Sequence, residues 1–151
     1  MPIINVKLSE TPSPELIAQV SETVLGLTTR ILRKQRDVTS IALDFVPREH
    51  WIVAGVSLAA QGKSSFYLDI KVVSGTNTKD EKAAYVAAVF SAFDELLGDL
   101  HPESYVYVHD VAAEGYGYGG LTQEYRYITG AANVPAVVRR DTPLGSSRSS
   151  A

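Results

Sequence analysis

A chain of 151 residues, 45% hydrophobic and 21% charged, has the composition of one ordinary globular domain or of two small fused repeats, which argues against general disorder. A formal net charge of -3 offers no broad basic field for nucleic acid. The absence of cysteine excludes disulfides, thiolate metal sites and a cysteine nucleophile, and with no charged-then-apolar leader or long apolar run the expected setting is cytoplasmic, away from membranes.

The chain opens with Met1-Pro2 and an apolar segment, residues 2–8, that reads as a buried strand with Ile4, Val6 and Leu8 on one face. If Met1 is removed, Pro2 becomes a secondary amine at the mouth of that strand. An exposed α-amine titrates near ~8. Apolar surroundings disfavour its protonated form and move it towards neutrality, where a proton-shuttling base operates. Small second residues also follow Met in many proteins for no chemical reason, so Pro2 alone does not decide the matter.

Ser13, Pro14 and Glu15 suit the cap, first position and first turn of a helix. Leu16, Ile17, Val20, Val24, Leu27 and Ile31 supply its apolar stripe. Arg30, Arg33, Lys34 and Arg36 then crowd the helix end, where cations favour the dipole. In residues 39–46 Ile41, Leu43 and Phe45 alternate with Ser40, Ala42 and Asp44, the pattern of a half-buried strand.

The same order then starts again. Residues 65–73 read as a strand, and Thr78-Lys79-Asp80-Glu81 as a capping box. Ala83, Val86, Ala87, Phe90, Phe93 and Leu97 are the expected stripe of a second helix, and residues 105–109 a fourth strand. Two strand–helix–strand units displaced by about 63 residues imply paired parallel strands with crossover helices. The expected fold class is α+β: two tandem β-α-β units forming a four-stranded sheet with two helices on one face. The other face is left to pack on something. A glycine-aromatic turn, residues 115–120, precedes residues 122–129, which read as a short strand able to reach a neighbouring subunit. The expected organisation is a single domain of residues 1–138, with repeats of about 2–62 and 63–130, and a flexible tail of residues 139–151.

Pro2-Ile3-Ile4, the capped helix, Val38-Thr39-Ser40-Ile41, the segment Glu103 to Asp110 and Tyr116-Gly117-Tyr118-Gly119-Gly120 together resemble the tautomerase superfamily, the 4-oxalocrotonate tautomerase relatives. The likeness spans roughly residues 2–130. The doubled length is similar to the trimeric branches that include cis-3-chloroacrylic acid dehalogenase and malonate semialdehyde decarboxylase. The resemblance implies a homotrimer, no cofactor, a small carboxylate substrate and one catalytic proline per chain, because Ser65 holds the matching strand start in the second unit. It implies a catalytic role for Pro2 as base or acid and for Tyr107 in positioning water. It implies substrate-binding roles for Trp51 and Tyr116, while Asn77 and Arg126 are further candidate substrate-binding residues that the resemblance does not supply; Trp51 and Tyr107 equally suit ordinary packing, and packing is the alternative for Tyr116.

The departures from the family pattern concern the carboxylate clamp. Thr11 and Pro12, and in the second unit residues 74–77, stand where arginines are common, and Thr28 stands where the dehalogenase branch has a histidine. Lys71, Arg48 and Arg126 are candidate replacements. His50, His101 and His109 lack metal-ligand spacing. The expected function is keto–enol isomerisation of a small 2-keto or unsaturated acid with Pro2 as base or acid. The alternatives are hydration, dehalogenation or decarboxylation of a three-carbon acid, or a trimeric binding module that has lost the clamp.

Overall fold

The computed structural model describes residues 2–130, so the expected tail of residues 139–151 lies outside the described residues. Those residues fall into two compact units that divide after Ala112.

The first unit contains β1 (Ile3–Leu8), α1 (Pro14–Ile31), β2 (Ser40–Phe45), β3 (Ile52–Val53), β4 (Val56–Ser57), α2 (Leu58–Gln61), β5 (Phe66–Val73), α3 (Lys79–Leu97) and β6 (Tyr105–Val111). Four of the strands form one sheet in the order β2-β1-β5-β6. Within each repeat the strands run parallel, β1 with β2 and β5 with β6, and the two repeats join where β1 and β5 run antiparallel. The tandem β-α-β order expected from the sequence is therefore the observed one.

The capping chemistry is that of the sequence. Ser13 Oγ accepts the Leu16 amide at 3.1 Å, with Pro14 in the first turn, where its missing N–H costs nothing. At α3 the Thr78 hydroxyl accepts the Glu81 amide at 3.1 Å, and the Glu81 carboxylate accepts the Thr78 amide at 2.9 Å. Arg33 donates to the same carboxylate at 2.8 Å and ties the end of α1 to the start of α3. The Thr78 amide, followed by Arg33, holds the Glu81 carboxyl down to about 2. A depressed carboxyl pKa contributes stability above the unfolded value and loses it as pH falls through the folded value. Glu81→Gln is therefore expected to be less stable than the parent at pH 6 by a constant margin, which shrinks below about pH 4.3 and is gone below about 2. Denaturant titrations of both proteins across that range check it.

One face of the sheet and both long helices share a single core. Ile4, Val6 and Leu8 of β1 and Phe66, Leu68 and Ile70 of β5 pack with Val20 and Val24 of α1 and Val89 and Phe93 of α3, all buried. The stripe of α1 follows the expected spacing, except that Ile17 is exposed. The stripe of α3 does so in its second half, where Phe93 is buried and Phe90 and Leu97 pack against the core, but not in its first. Ala83, Val86 and Ala87 face outward, and Tyr85, Val89 and Phe93 are the buried positions. Helix α3 is apolar on several sides, so apolar spacing alone left its rotation open. Tyr85 settles it, because its ring fills the core while its hydroxyl meets Thr28 Oγ1 at 2.9 Å. Thr28 spends its own proton on the Val24 carbonyl at 2.7 Å, so the tyrosine is the donor. Burial pushes the Tyr85 hydroxyl up to about 12.

The opposite face of the sheet carries Ile3, Asn5 and Lys7 on β1, Tyr67, Asp69 and Lys71 on β5, and Tyr105, Tyr107 and His109 on β6, as the two-residue period requires. Tyr105 and Tyr107 stack at 6.2 Å between ring centroids and Tyr107 and His109 at 5.5 Å. Tyr105 and Tyr107 stay 47% and 45% exposed, too much apolar surface for a finished face.

The second unit, described from Ala113 to Gly130, holds β7 (Gly117–Tyr118) paired antiparallel with β8 (Leu121–Thr122), then α4 (Gln123–Thr129). Residues 122–129, read from the sequence as a strand, are thus a capped helix. The alternation of Tyr125 and Tyr127 with Glu124 and Arg126 imitates a strand period. The end signals decide otherwise: Thr122 Oγ1 accepts the Tyr125 amide at 3.0 Å, and Gly130 closes the helix in the left-handed region at φ 68°. Gly117 is required by space, since a Cβ there would lie 2.2 Å from the Leu121 carbonyl oxygen.

Candidate active site

Pro2 is buried immediately before β1, and its carbonyl accepts the Ser40 amide at 3.0 Å, which continues the β1–β2 ladder by one residue. Its position is therefore set by the sheet and not by a loose terminus. The register places the end of β5 and of β6 on this side of the sheet, with Lys71 opposite His109.

Trp51 sits at the other end. It follows a 3-10 turn, Arg48–His50, and leads into the β3–β4 hairpin, whose Ala54-Gly55 turn has both residues at positive φ. Its carbonyl accepts the Leu58 amide at 2.8 Å, and α2 thereby fastens the hairpin. Trp51 borders a cavity of 820 Å³ on the open sheet face, shared with Asn5, Lys7, Asp44, Tyr67 and Tyr105. On β1 the cavity is lined by Asn5, Val6 and Lys7, so at about 3.3 Å per residue its near edge lies roughly 10 Å along the strand from Pro2. Pro2 is not among the residues that line the cavity with Trp51.

The other implied residues are spread through the fold. Tyr107 lies opposite Asp69 on the open face and packs against Tyr67 at 5.8 Å. Asn77 is turned inward before α3, where its amide donates to the Leu32 carbonyl at 3.0 Å and its Oδ1 has no partner. In the second unit, Tyr116 has a buried hydroxyl with no hydrogen-bond partner, and burial, then Tyr118, raises its pKa. Arg126 is 1% exposed, donates to the Tyr118 carbonyl at 3.1 Å and lies 3.9 Å over the Tyr118 ring. That is a clamp within the hairpin–helix unit.

The candidate replacement cations are occupied. Lys71 pairs with Asp69 at 3.0 Å, and Arg48 pairs with Glu10 at 2.7 Å while also donating to the Ser9 carbonyl. Thr28, at the family's histidine position, is sealed in the core. Asn5, Lys7, Tyr67 and Asp69 were not singled out by the sequence, although the alternation of β1 and β5 was enough to put them on the face opposite the core. What the sequence lacks is the hairpin that brings Trp51 over that face. Among the described residues no three metal-binding side chains gather, and no helix is long and apolar enough to cross a membrane.

A family model for Tautomerase, described as tautomerase enzyme, matches residues 2–61. No curated protein sequence matches the chain. Among solved structures it is similar to native fused 4-OT, at 20% identity and a TM-score of 0.71, over 81% of this chain and 96% of that one. Pt0534 inactivated by 2-oxo-3-pentynoate is similar at 19% identity and a TM-score of 0.70, with 81% and 96% covered. FG41 malonate semialdehyde decarboxylase inhibited by 3-bromopropiolate is similar at 16% identity and a TM-score of 0.66, with 88% and 99% covered. Residues 2–61 match the tautomerase family model, and the described chain has the fused tandem β-α-β fold of those structures.

Proposed function

We propose that the protein is a cofactor-independent tautomerase in which Pro2, freed of Met1, exchanges a proton with a small 2-keto or unsaturated acid. The observation that carries this assignment is the burial of Pro2 at the entrance to β1, inside the stretch that matches the tautomerase family. Burial favours the neutral amine, the form able to take a proton. In ketonisation the nitrogen accepts the enol hydroxyl proton as the carbonyl forms, and a proton is delivered to the adjacent carbon. No metal or organic group is needed for that exchange. The direct test is ultraviolet-monitored ketonisation of phenylenolpyruvate and of 2-hydroxymuconate, with intact-mass measurement on the same sample. Activity above the solution rate together with loss of the Met1 mass is expected. No activity with either enol, in protein shown to lack Met1, overturns the assignment.

That Pro2 does not line the cavity beside Trp51 supports a site shared between copies. We propose a homotrimer in which the exposed Tyr105–Tyr107 face is covered by neighbouring chains, one chain's Trp51 approaching another's Pro2. A further similar structure, Q0 fused 4-OT at 18% identity and a TM-score of 0.70, is a wild type symmetric trimer. Sedimentation equilibrium is expected to give three times the chain mass of 16.3 kDa, and a stable monomer at micromolar concentration counts against it.

A further inference from the structure

We propose that Lys34 is a site of Nε-acylation, its amine positioned to take an acyl group from an acyl phosphate. Lys34 follows α1 and lies on the helix side of the sheet, away from the Tyr105–Tyr107 face. Nothing in this role depends on Pro2 being free or catalytic.

Lys34 is held at both ends. Its amide donates to the Thr28 carbonyl at 3.3 Å, which closes α1, and Arg33 before it takes the left-handed region at φ 56°. Its Nζ donates to Thr76 Oγ1 at 3.1 Å. Thr76 is fixed in turn. Its amide donates to the Val73 carbonyl at 3.2 Å and its hydroxyl to the same oxygen at 2.6 Å, so Oγ1 meets the lysine with its lone pairs. A side chain rich in rotamers thus presents its nitrogen at one place, between the end of α1 and the turn that ends β5.

The surrounding charges leave that nitrogen without a counter-ion. Arg33 grips Glu81 through two hydrogen bonds, at 2.8 and 3.1 Å, and Lys82 of α3 pairs with Asp110 of β6. Three cations therefore share two carboxylates, and Lys34 makes no ion pair with a described residue. Burial, followed by the Arg33 charge, lowers the Lys34 pKa from its ordinary value, against the opposing pull of Glu81 and Asp110. The neutral amine so favoured is the nucleophilic form. Lys71 and Lys82, by contrast, are each tied to a carboxylate. The Arg33 side chain is 67% exposed and offers an anionic acyl donor a cation beside the amine.

In the step, the lone pair of neutral Nζ attacks the acyl carbon. A C–N bond forms, the bond from that carbon to the phosphate oxygen breaks, and phosphate leaves with the electron pair while the surplus nitrogen proton passes to water. The product amide keeps one N–H for Thr76 Oγ1, and the unpaired cation is gone.

Limiting acetyl phosphate near neutral pH, followed by peptide mass spectrometry, compares the lysines within one sample. Lys34 is expected to be acetylated at least threefold faster than Lys79, an exposed lysine at the start of α3 that makes no ion pair among the described residues. Its rate is expected to reach half of its maximum at a lower pH than that of Nα-acetyl-lysinamide added to the same tube. Arg33→Gln releases Glu81 towards Lys34 and is expected to narrow the margin over Lys79 and move the half-maximum up, with circular dichroism unchanged. A margin below threefold in the parent overturns the proposal, as does a half-maximum at or above that of the free amine. An Arg33→Gln variant that folds as the parent and changes neither reading overturns it as well.

Discussion

Replacing Pro2 by alanine is expected to lower the rate of enol ketonisation by about a hundredfold or more, the contribution typical of a positioned general base. Alanine leaves a primary amine at the same place, so the variant changes the base without removing the nitrogen. Two properties are lost with the ring. The pyrrolidine ring closes rotation about the N–Cα bond, so the secondary amine keeps one orientation on the strand, and the ring carbons help to keep water from the nitrogen. The fold should barely respond, because what ties this residue to the sheet is its carbonyl, bonded to the Ser40 amide, and alanine retains that group. Unchanged circular dichroism and unchanged sedimentation beside the loss in rate are therefore part of the expected result. A variant that keeps methionine on the chain converts the nitrogen to an amide with no basicity and is expected to be inactive. If Pro2→Ala and the blocked chain both turn over phenylenolpyruvate at the parent rate, the base lies elsewhere.

The sequence shows the β-α-β repeat because each strand alternates cleanly and each helix carries its cap. Ser13 and Thr78 announce the starts of α1 and α3, and Ile41, Leu43 and Phe45 face the core as their spacing requires. Where several faces of one segment are apolar or aromatic, side-chain spacing stops discriminating. That is why the buried side of α3 turned out to be Tyr85, Val89 and Phe93, and why α4 read as a strand. The candidate site was legible at Pro2 and illegible as a cavity. Strand alternation alone sends Lys7, Tyr67 and Tyr105 to one face, but Trp51 joins them only through a hairpin of two-residue strands. So short a ladder carries almost no periodic signal, and only the Ala54-Gly55 turn marks it. Pairings such as Arg48 with Glu10 and Arg126 with Tyr118 involve residues brought together by folding, so the cations that looked available in the sequence are spent in the structure.

Phe93→Ala is expected to cost about 3–5 kcal/mol of stability, the range for truncating a buried phenylalanine. Phe93 is fully buried on α3 and stacks on Phe66 of β5 with ring centroids 4.2 Å apart and planes 22° from parallel. It is therefore the side chain that couples a helix to the strand at the centre of the antiparallel junction between repeats. Alanine leaves a cavity between elements that cannot close independently, because β5 is hydrogen-bonded on both sides, to β1 and to β6. For a chain of this length the loss corresponds to a fall in melting temperature of roughly 6–20 °C. The control is Val86→Ala on the same helix, where the parent side chain is 40% exposed and the change is expected to cost less than about 1 kcal/mol. The two variants differ in burial on one helix with the same backbone propensity, so their comparison reads the rotation of α3 directly. Both must be measured at one protein concentration, since association of native chains would raise the apparent stability of each. Similar losses at both positions would mean that α3 presents the Val86 side to the core after all, and the Tyr85–Thr28 hydrogen bond could not then exist.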